Sequence, residues 1–112
     1  MSLLWKTAVA QPDHISHRDL AQMYSGDYDV PMTQVRRELR QNWADSNGDA
    51  HPNEVKHGGP DAYIEHLKRD IAANGMQQPL TIRGGNVVTD GQHRGVAALE
   101  LKMERIPVEH IR

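Results

Sequence analysis

The feature that most constrains the fold of this chain is a pentapeptide, DGQHR at residues 90–94. It lies between two segments with different secondary-structure preferences. The β-branched residues at 87–89 favour a strand, and residues 95–101 are rich in good helix formers. A glycine turn at such a junction leaves the first N–H groups of the helix without partners inside the helix. The sequence therefore predicts a strand–turn–helix unit around Gly91.

The two cationic side chains of the pentapeptide lie where a helix least favours a cation. His93 and Arg94 occupy the first turn, next to the positive end of the helix dipole. Free N–H groups at that end bind anions, so we expect an anionic ligand there, and a phosphate group is the best match. The alternative is structural: Asp90 would cap the helix and both cations would lie on the surface.

Composition limits the classes of protein to which the chain can belong. Its 112 residues suit a single domain, and a formal net charge of -2 argues against general attraction to nucleic-acid phosphates. Cysteine is absent, which excludes disulfides, thiolate metal ligands and thiol nucleophiles. No apolar run approaches the roughly 20 residues of a membrane span. We therefore expect a cytoplasmic protein that does not contact a membrane.

The first half of the chain carries the weaker structural signals. Residues 3–9 favour an opening strand, and Ser16 is a candidate N-cap for a short helix that continues to about residue 24. Residues 33–43 predict a clearer helix, because apolar residues recur there at every fourth position. Residues 44–59 show no apolar periodicity and predict a long polar loop.

The polar loop contains, at residues 45–49, a stretch similar to the start of a calcium-binding loop. That comparison fails, because such a loop needs glycine at its sixth position and glutamate at its twelfth, where this chain has Ala50 and Lys56. We expect no metal site in the loop. The titratable residues that follow have no spacing that requires a metal ion, and we expect them to be unligated: His51, Glu54 and His57.

Signals in the second half of the chain are stronger. Pro60 suits the first position of the clearest helix, and Gly75 suits its end. A hairpin follows at residues 80–89. A closing strand is expected at residues 105–111, where Pro107 predicts an edge position or a late start. Helices and strands mixed in this way predict the α+β class.

Three arginines of the helix predicted at residues 33–43 lie away from its apolar face: Arg36, Arg37 and Arg40. One interpretation is a solvated face on which Glu38 balances part of the charge. The other is a surface that meets a nucleic-acid backbone or an acidic protein partner. Both interpretations stay open from the sequence.

The second half of the chain resembles the ParB/sulfiredoxin superfamily, specifically its small ParB-like domains with the DGQHR motif. The shared features are a helix that ends in a Gly-x-x-x-Pro segment at residues 75–79, a hairpin, the pentapeptide, a helix and an exit strand. The resemblance covers residues 61–111. It implies one ParB-like domain over residues 1–112, a small mixed sheet with packed helices, in which residues 1–60 are divergent and residues 61–112 form the recognisable core.

The resemblance also implies a nucleotide site at the pentapeptide. In the superfamily, the matching segment binds nucleotide phosphates at a helix N-terminus, either CTP in chromosome-partition clamps or ATP in sulfiredoxin. Carried over to this sequence, that role places Gly91, His93 and Arg94 at the phosphate, with Gln92 beside them. Two further residues match the segment that approaches the other side of the nucleotide: Gln78 and Pro79.

Departures from the superfamily restrict the chemistry that can be carried over. Sulfiredoxin chemistry requires a cysteine immediately before the His-Arg pair, and Gln92 stands there; a carboxamide cannot act as that nucleophile, so the reaction is excluded. Partition proteins usually have Glu-Arg-Arg at the position of residues 92–94, so no CTP preference is implied. They also continue into a further motif and a helix-turn-helix domain that this sequence does not contain, so we do not expect a DNA-loaded sliding clamp.

Three functions stay open from the sequence. The first, which we favour, is a binding module that holds a nucleotide or a nucleic-acid phosphate at residues 90–94. The second is a DNA nuclease or phosphohydrolase, in which His93 acts as general acid or base, Arg94 stabilises the transition state and Asp90 holds a divalent metal such as magnesium. The third is a protein-interaction module of the kind that phages and mobile elements encode, with a degenerate ligand site. A homo-oligomer is compatible with all three.

Overall fold

Helices and strands are interspersed along residues 13–111, the part of the chain that this computed structural model describes. The strand expected at residues 3–9 lies outside that part. The elements follow in this order: β1 (Asp13–Ile15), α1 (His17–Ala21), β2 (Tyr24–Ser25), a 3-10 helix (Met32–Gln34), α2 (Val35–Asp45), α3 (Pro52–His57), α4 (Pro60–Asn74), β3 (Leu80–Arg83), β4 (Val87–Asp90), α5 (Gln92–Glu100) and β5 (Ile106–Ile111).

The strands form one mixed sheet in the order β1-β5-β3-β4-β2. β3 and β4 are an antiparallel hairpin, β5 runs parallel to β3, and β1 runs antiparallel to β5. β2 pairs with β4 in parallel. The predicted α+β class, with a small mixed sheet and packed helices, is confirmed. Both edge strands come from the first half of the chain, so the two halves share one sheet.

The closing strand β5 lies inside the sheet, between β1 and β3. The structure therefore shows neither outcome that Pro107 predicted: β5 is not an edge strand, and it begins at Ile106, before Pro107. Pro107 is the second residue of the strand and lies opposite His14 of β1, whereas pairing with β3 begins only at Val108. Pro107 therefore has a neighbouring strand on one side only, as a proline in an edge strand does, and its missing N–H group costs little there.

Several helix ends follow local signals in the sequence. The Ser16 side chain accepts a hydrogen bond from the N–H of Asp19, whose carboxylate accepts one from the N–H of Ser16, which is a capping box. Pro60 is the first residue of α4, and Gly75 ends that helix with φ of 76°. The predicted start of α1 and both predicted ends of α4 are confirmed.

Elsewhere the elements differ from the prediction. α1 stops at Ala21, and the chain then turns into β2 instead of continuing as a helix. The predicted loop contains α3, which the sequence pattern did not indicate because the helix has six residues and no buried apolar stripe; Val55 is 48% exposed. The helix expected at residues 33–43 begins at Val35, after the 3-10 turn, and ends at Asp45.

The core lies between the sheet and the helices that pack against it. α5 contacts α4, α1, α2 and the 3-10 helix, and its buried residues are mostly small: Gly95, Val96, Ala97 and Ala98. Small side chains let the helix approach its neighbours closely. A Cβ at Gly95 would lie 2.7 Å from Cε of Met32, so the end of that side chain would have to shift to make room.

Candidate functional site

A cavity of about 190 Å³ opens at the start of α5, and we call it the α5 cavity. β4 ends at Asp90, Gly91 turns the chain, and α5 begins at Gln92, so the structure contains the predicted strand–turn–helix unit. Residues 90–94 form one wall of the cavity. The opposite walls come from three other parts of the chain: Asp27, Tyr28, His51, Asn53 and Tyr63.

Gly91 is the N-cap of α5 and lies in the left-handed region, with φ of 94°. A Cβ at this position would lie 2.7 Å from Cδ2 of Leu80 and 3.0 Å from Nη2 of Arg94. No side chain caps the helix start in the described part of the chain, so the expected alternative of a cap by Asp90 is not what the structure shows. The N–H groups of residues 92–94 therefore remain without side-chain acceptors at the cavity wall.

Arg94 lies along the cavity wall with part of its guanidinium group unpaired. Nη2 donates a hydrogen bond to the carbonyl oxygen of Pro79 at 3.3 Å and lies 3.8 Å from the exposed carboxylate of Asp90. Nε of Arg94 is buried and has no hydrogen-bond partner among residues 13–111. Pro79 thus reaches the site through its backbone, whereas Gln78 is exposed and does not line the cavity.

The buried side chain of Gln92 is hydrogen-bonded through its amide nitrogen, but its amide oxygen has no partner among residues 13–111. Its side chain is 6% exposed, and Nε2 donates a hydrogen bond of 2.9 Å to the carbonyl oxygen of Val88. The amide oxygen, Oε1, is buried and has no partner in the part of the chain that the structure describes. A buried acceptor without a donor costs free energy, on the order of 1–3 kcal/mol. Gln92 and Arg94, two residues of the cavity wall, thus each have one buried polar atom without a partner among residues 13–111.

His93 is paired with a carboxylate that the sequence did not connect with it. Nε2 of His93 forms a short hydrogen bond with Oε2 of Glu54, from α3. Glu54 is 1% exposed, and its second oxygen is buried without a partner among residues 13–111. The imidazole is therefore committed to the protein's own carboxylate, and His93 is not the free cation that the sequence predicted.

Burial lowers the pKa of His93 below its ordinary value. The hydrogen bond and the charge of Glu54 oppose this effect, while the charges of His51 and Arg94 add to it. The imidazole is therefore neutral at neutral pH. Its proton lies on Nε2, because that atom donates to the carboxylate, and Nδ1 keeps a free lone pair.

We expect an NMR titration of the His93 imidazole to give a midpoint below about 6.5. Because this pKa is lower in the folded than in the unfolded chain, protons bind the unfolded chain more strongly, and the stability contributed by neutral His93 is lost as the pH falls below about 6.5. The unfolding free energy of a His93→Gln variant should therefore depend less on pH between about 7 and 5 than that of the wild type. A midpoint above the ordinary histidine value would contradict this expectation.

Aromatic rings surround the imidazole of His93. The ring centroid of Tyr63 lies 4.8 Å away and that of His51 lies 5.0 Å away. Nδ1 of His51 accepts a hydrogen bond of 3.2 Å from the N–H of Asn53, which caps α3, so Nε2 is the ring nitrogen that carries a proton. Burial raises the pKa of Tyr63, so its hydroxyl group keeps its proton.

The α5 cavity carries charges of both signs. Arg94 lies in its wall, next to the positive end of the α5 dipole. Asp27 and Asp90 are exposed at its rim, and Glu54 lies buried behind His93. Water screens the rim carboxylates more than it screens groups in the wall. A singly charged anion is therefore better matched to this cavity than a multiply charged one.

The arginines of α2 lie outside the α5 cavity. Arg36 donates to Asp61 at 2.9 Å and to Glu100 at 2.6 Å, and Arg40 donates to the same Asp61 at 2.8 Å. These ion pairs join α2 to α4 and α5, which is a role in helix packing that neither sequence interpretation included. Arg37 is exposed. Within residues 13–111, no group of three His, Asp or Glu side chains lies close enough to hold a metal ion.

The fold and the cavity define a small α+β protein with a candidate anion site at a helix N-terminus. Compared with protein-family models, curated proteins and solved structures, the chain has no match. None of the helices in the described part of the chain has both the length and the apolar character that a bilayer crossing requires.

The sequence indicated the cavity wall formed by residues 90–94, but not the opposite walls or the pairing of His93 with Glu54. Residues 90–94 were recognised because a strand, a glycine turn and a helix are adjacent in the chain. Glu54 is separated from His93 by 39 positions, and no local pattern connects them. The density of titratable residues around Glu54 was the available signal, but their spacing required no metal ion and we expected them to be unligated.

Proposed function

We propose that this protein is a phosphate-binding module whose site is the α5 cavity, with a nucleotide or nucleic-acid phosphate as its ligand. The observation that carries the proposal is the uncapped start of α5, where the N–H groups of residues 92–94 have no side-chain acceptor and Arg94 lines the same cavity wall. Free N–H groups at the positive end of a helix favour an anion. A guanidinium group beside them favours phosphate, because its planar donors match phosphate oxygens.

Other groups in the cavity suit the organic part of such a ligand. The rings of His51 and Tyr63 line the cavity side by side, and a base or a sugar can pack against them. Inorganic phosphate would use none of these groups, so the arrangement favours a nucleotide unit.

The charge distribution favours a phosphate diester within this class. A diester carries one negative charge, whereas the phosphates of CTP or ATP carry several, which Asp27 and Asp90 at the rim would repel. The resemblance to ParB-like domains points to the same residues, but it rests on the same pentapeptide and adds no independent support. CTP and ATP therefore stay in the binding test beside short oligonucleotides.

Replacing Arg94 with glutamine should weaken binding of the best ligand by about 10- to 100-fold, because a charge-assisted hydrogen bond to phosphate contributes about 1.5–3 kcal/mol. Titration calorimetry with CTP, ATP and short single-stranded oligonucleotides measures this effect. Arg69→Gln is a matched control, since Arg69 is exposed on α4 and does not line the cavity. Equal affinities for wild type and Arg94→Gln, or no binding of any of these ligands at millimolar concentration, would refute the proposal.

A further inference from the structure

We propose that the α5 cavity also cleaves RNA, with His93 as the general base that removes the proton of a 2′-hydroxyl group beside the bound phosphodiester. This inference rests on the proposed function, because the phosphate must first be held at the start of α5. It adds a chemical step that phosphate binding alone does not require.

The pair formed by Glu54 and His93 has the arrangement of an oriented base. A base in an active site is usually held by a third group that fixes its ring and stabilises the cation formed on proton uptake. Glu54 does both here: it binds Nε2 of His93, and it lies buried at 1% exposure, where its charge is little screened by water. Nδ1 is then the ring nitrogen that can take a proton from a molecule in the cavity.

A purely structural role does not account for this pair. A buried carboxylate held by one hydrogen bond contributes little to stability compared with apolar residues of the same size, and here one oxygen of Glu54 also lacks a partner among residues 13–111. The buried atoms that lack partners cluster around the first turn of α5: Glu54 Oε1, Gln92 Oε1 and Arg94 Nε. Such a concentration of unsatisfied groups at one cavity is typical of a site built for a ligand and its chemistry.

Groups around the cavity can stabilise the charge that develops during cleavage. The N–H groups at the start of α5 and the guanidinium group of Arg94 would donate to the non-bridging phosphate oxygens, where negative charge accumulates. His51 can add a donor, because Nδ1 accepts from the backbone and leaves the proton on Nε2. We assign His51 hydrogen bonding and not proton transfer.

The 2′-hydroxyl group is the nucleophile that this set of groups suits best. It is attached to the same ribose as the phosphate, and intramolecular attack has effective molarities of about 10⁵–10⁸ M. One positioned base contributes a further factor of about 10²–10⁴. RNA supplies this nucleophile and DNA does not.

The step balances without a further reactant. The 2′-oxygen attacks phosphorus and forms the O2′–P bond while the P–O5′ bond breaks, and the proton of the 2′-hydroxyl group moves to Nδ1 of His93. The departing 5′-oxygen takes a proton from water, and the imidazolium of His93 returns its proton to the resulting hydroxide. The products are a 2′,3′-cyclic phosphate end and a 5′-hydroxyl end.

The direct test uses the wild-type chain and two labelled oligonucleotides that differ by one oxygen atom. One is DNA with a single internal ribonucleotide, and the other is the same sequence in all-deoxy form. We expect cleavage only at the ribonucleotide, with a 2′,3′-cyclic phosphate detected by mass spectrometry, and comparable affinity for both. If the chain binds both and cleaves neither, the inference fails while the proposed function stands; if it binds neither, both fail; equal cleavage of both overturns the role of the 2′-hydroxyl group.

Variants assign the roles of the two residues. His93→Gln should lower the cleavage rate at least 100-fold, whereas His66→Gln, on the exposed face of α4 outside the cavity, should leave it unchanged. Glu54 is a positioning residue, so Glu54→Gln should lower the rate and move the acid limb of the pH–rate profile to lower pH, because the imidazole loses the charge that favours its protonation. Glu54→Asp should recover part of the rate. An unchanged rate in a folded His93→Gln variant, or an unchanged profile in Glu54→Gln, would overturn the assignment.

Discussion

Replacing Gly91 with alanine should lower the free energy of unfolding by about 2–4 kcal/mol. Two effects add. Alanine disfavours the φ of 94° at this turn, and its Cβ would lie 2.7 Å from Leu80, a fully buried side chain, and 3.0 Å from Arg94. Urea titration of both proteins measures the difference. If the proposed function is right, the same variant should also bind phosphate ligands more weakly, because the displaced guanidinium group lines the α5 cavity.

Gly85→Ala is the matched control for this prediction. Gly85 also has a positive φ, 82°, but a Cβ there would have no atom within 4 Å among the described residues. The control therefore contains the backbone strain without the steric overlap, and it should cost only about 1 kcal/mol. Equal losses in the two variants would show that overlap at the start of α5 contributes nothing.

Replacing His93 with leucine should lower the free energy of unfolding by about 3–5 kcal/mol at neutral pH, because it leaves the buried carboxylate of Glu54 without a partner. The double variant with Glu54→Leu should recover most of this loss, since an apolar pair of similar volume replaces the buried carboxylate and its hydrogen-bond partner. Denaturant unfolding of the wild type, both single variants and the double variant gives the coupling free energy. Additive losses would mean that the two side chains do not interact.

Together these variants separate two properties of the α5 cavity. Gly91 determines whether the helix start and Arg94 keep their positions, and the pair of Glu54 and His93 determines how the imidazole is oriented. If the apolar double variant is as stable as the wild type but no longer cleaves RNA, the pair of Glu54 and His93 is retained for chemistry and not for stability.

Much of the fold follows from local signals. The capping box at Ser16, the helix between Pro60 and Gly75 and the hairpin at residues 80–89 were all predicted from residues that are neighbours in the chain. In each case one or two residues determine the backbone conformation where they stand, through a hydrogen bond to the nearest N–H group or through a restricted φ. Such signals do not depend on the rest of the protein.

Elements without a local signal were missed. β1 and β2 have three and two residues, and they are strands only because β5 and β4 lie beside them. α3 is a helix without an apolar stripe, so periodicity could not reveal it. The position of β5 inside the sheet depends on where β1 pairs, and Pro107 alone could not determine it.

By itself, the sequence determined that residues 90–94 turn a strand into a helix and that Gly91 is required there, because backbone conformation depends on adjacent residues. Only the tertiary structure decided that Glu54 binds His93, that His51 and Tyr63 face the same cavity, and that Arg36 and Arg40 pair with Asp61. The physical reason is that contacts between distant residues depend on the packing of the whole core, and many partners are compatible with any one polar side chain until that packing selects one.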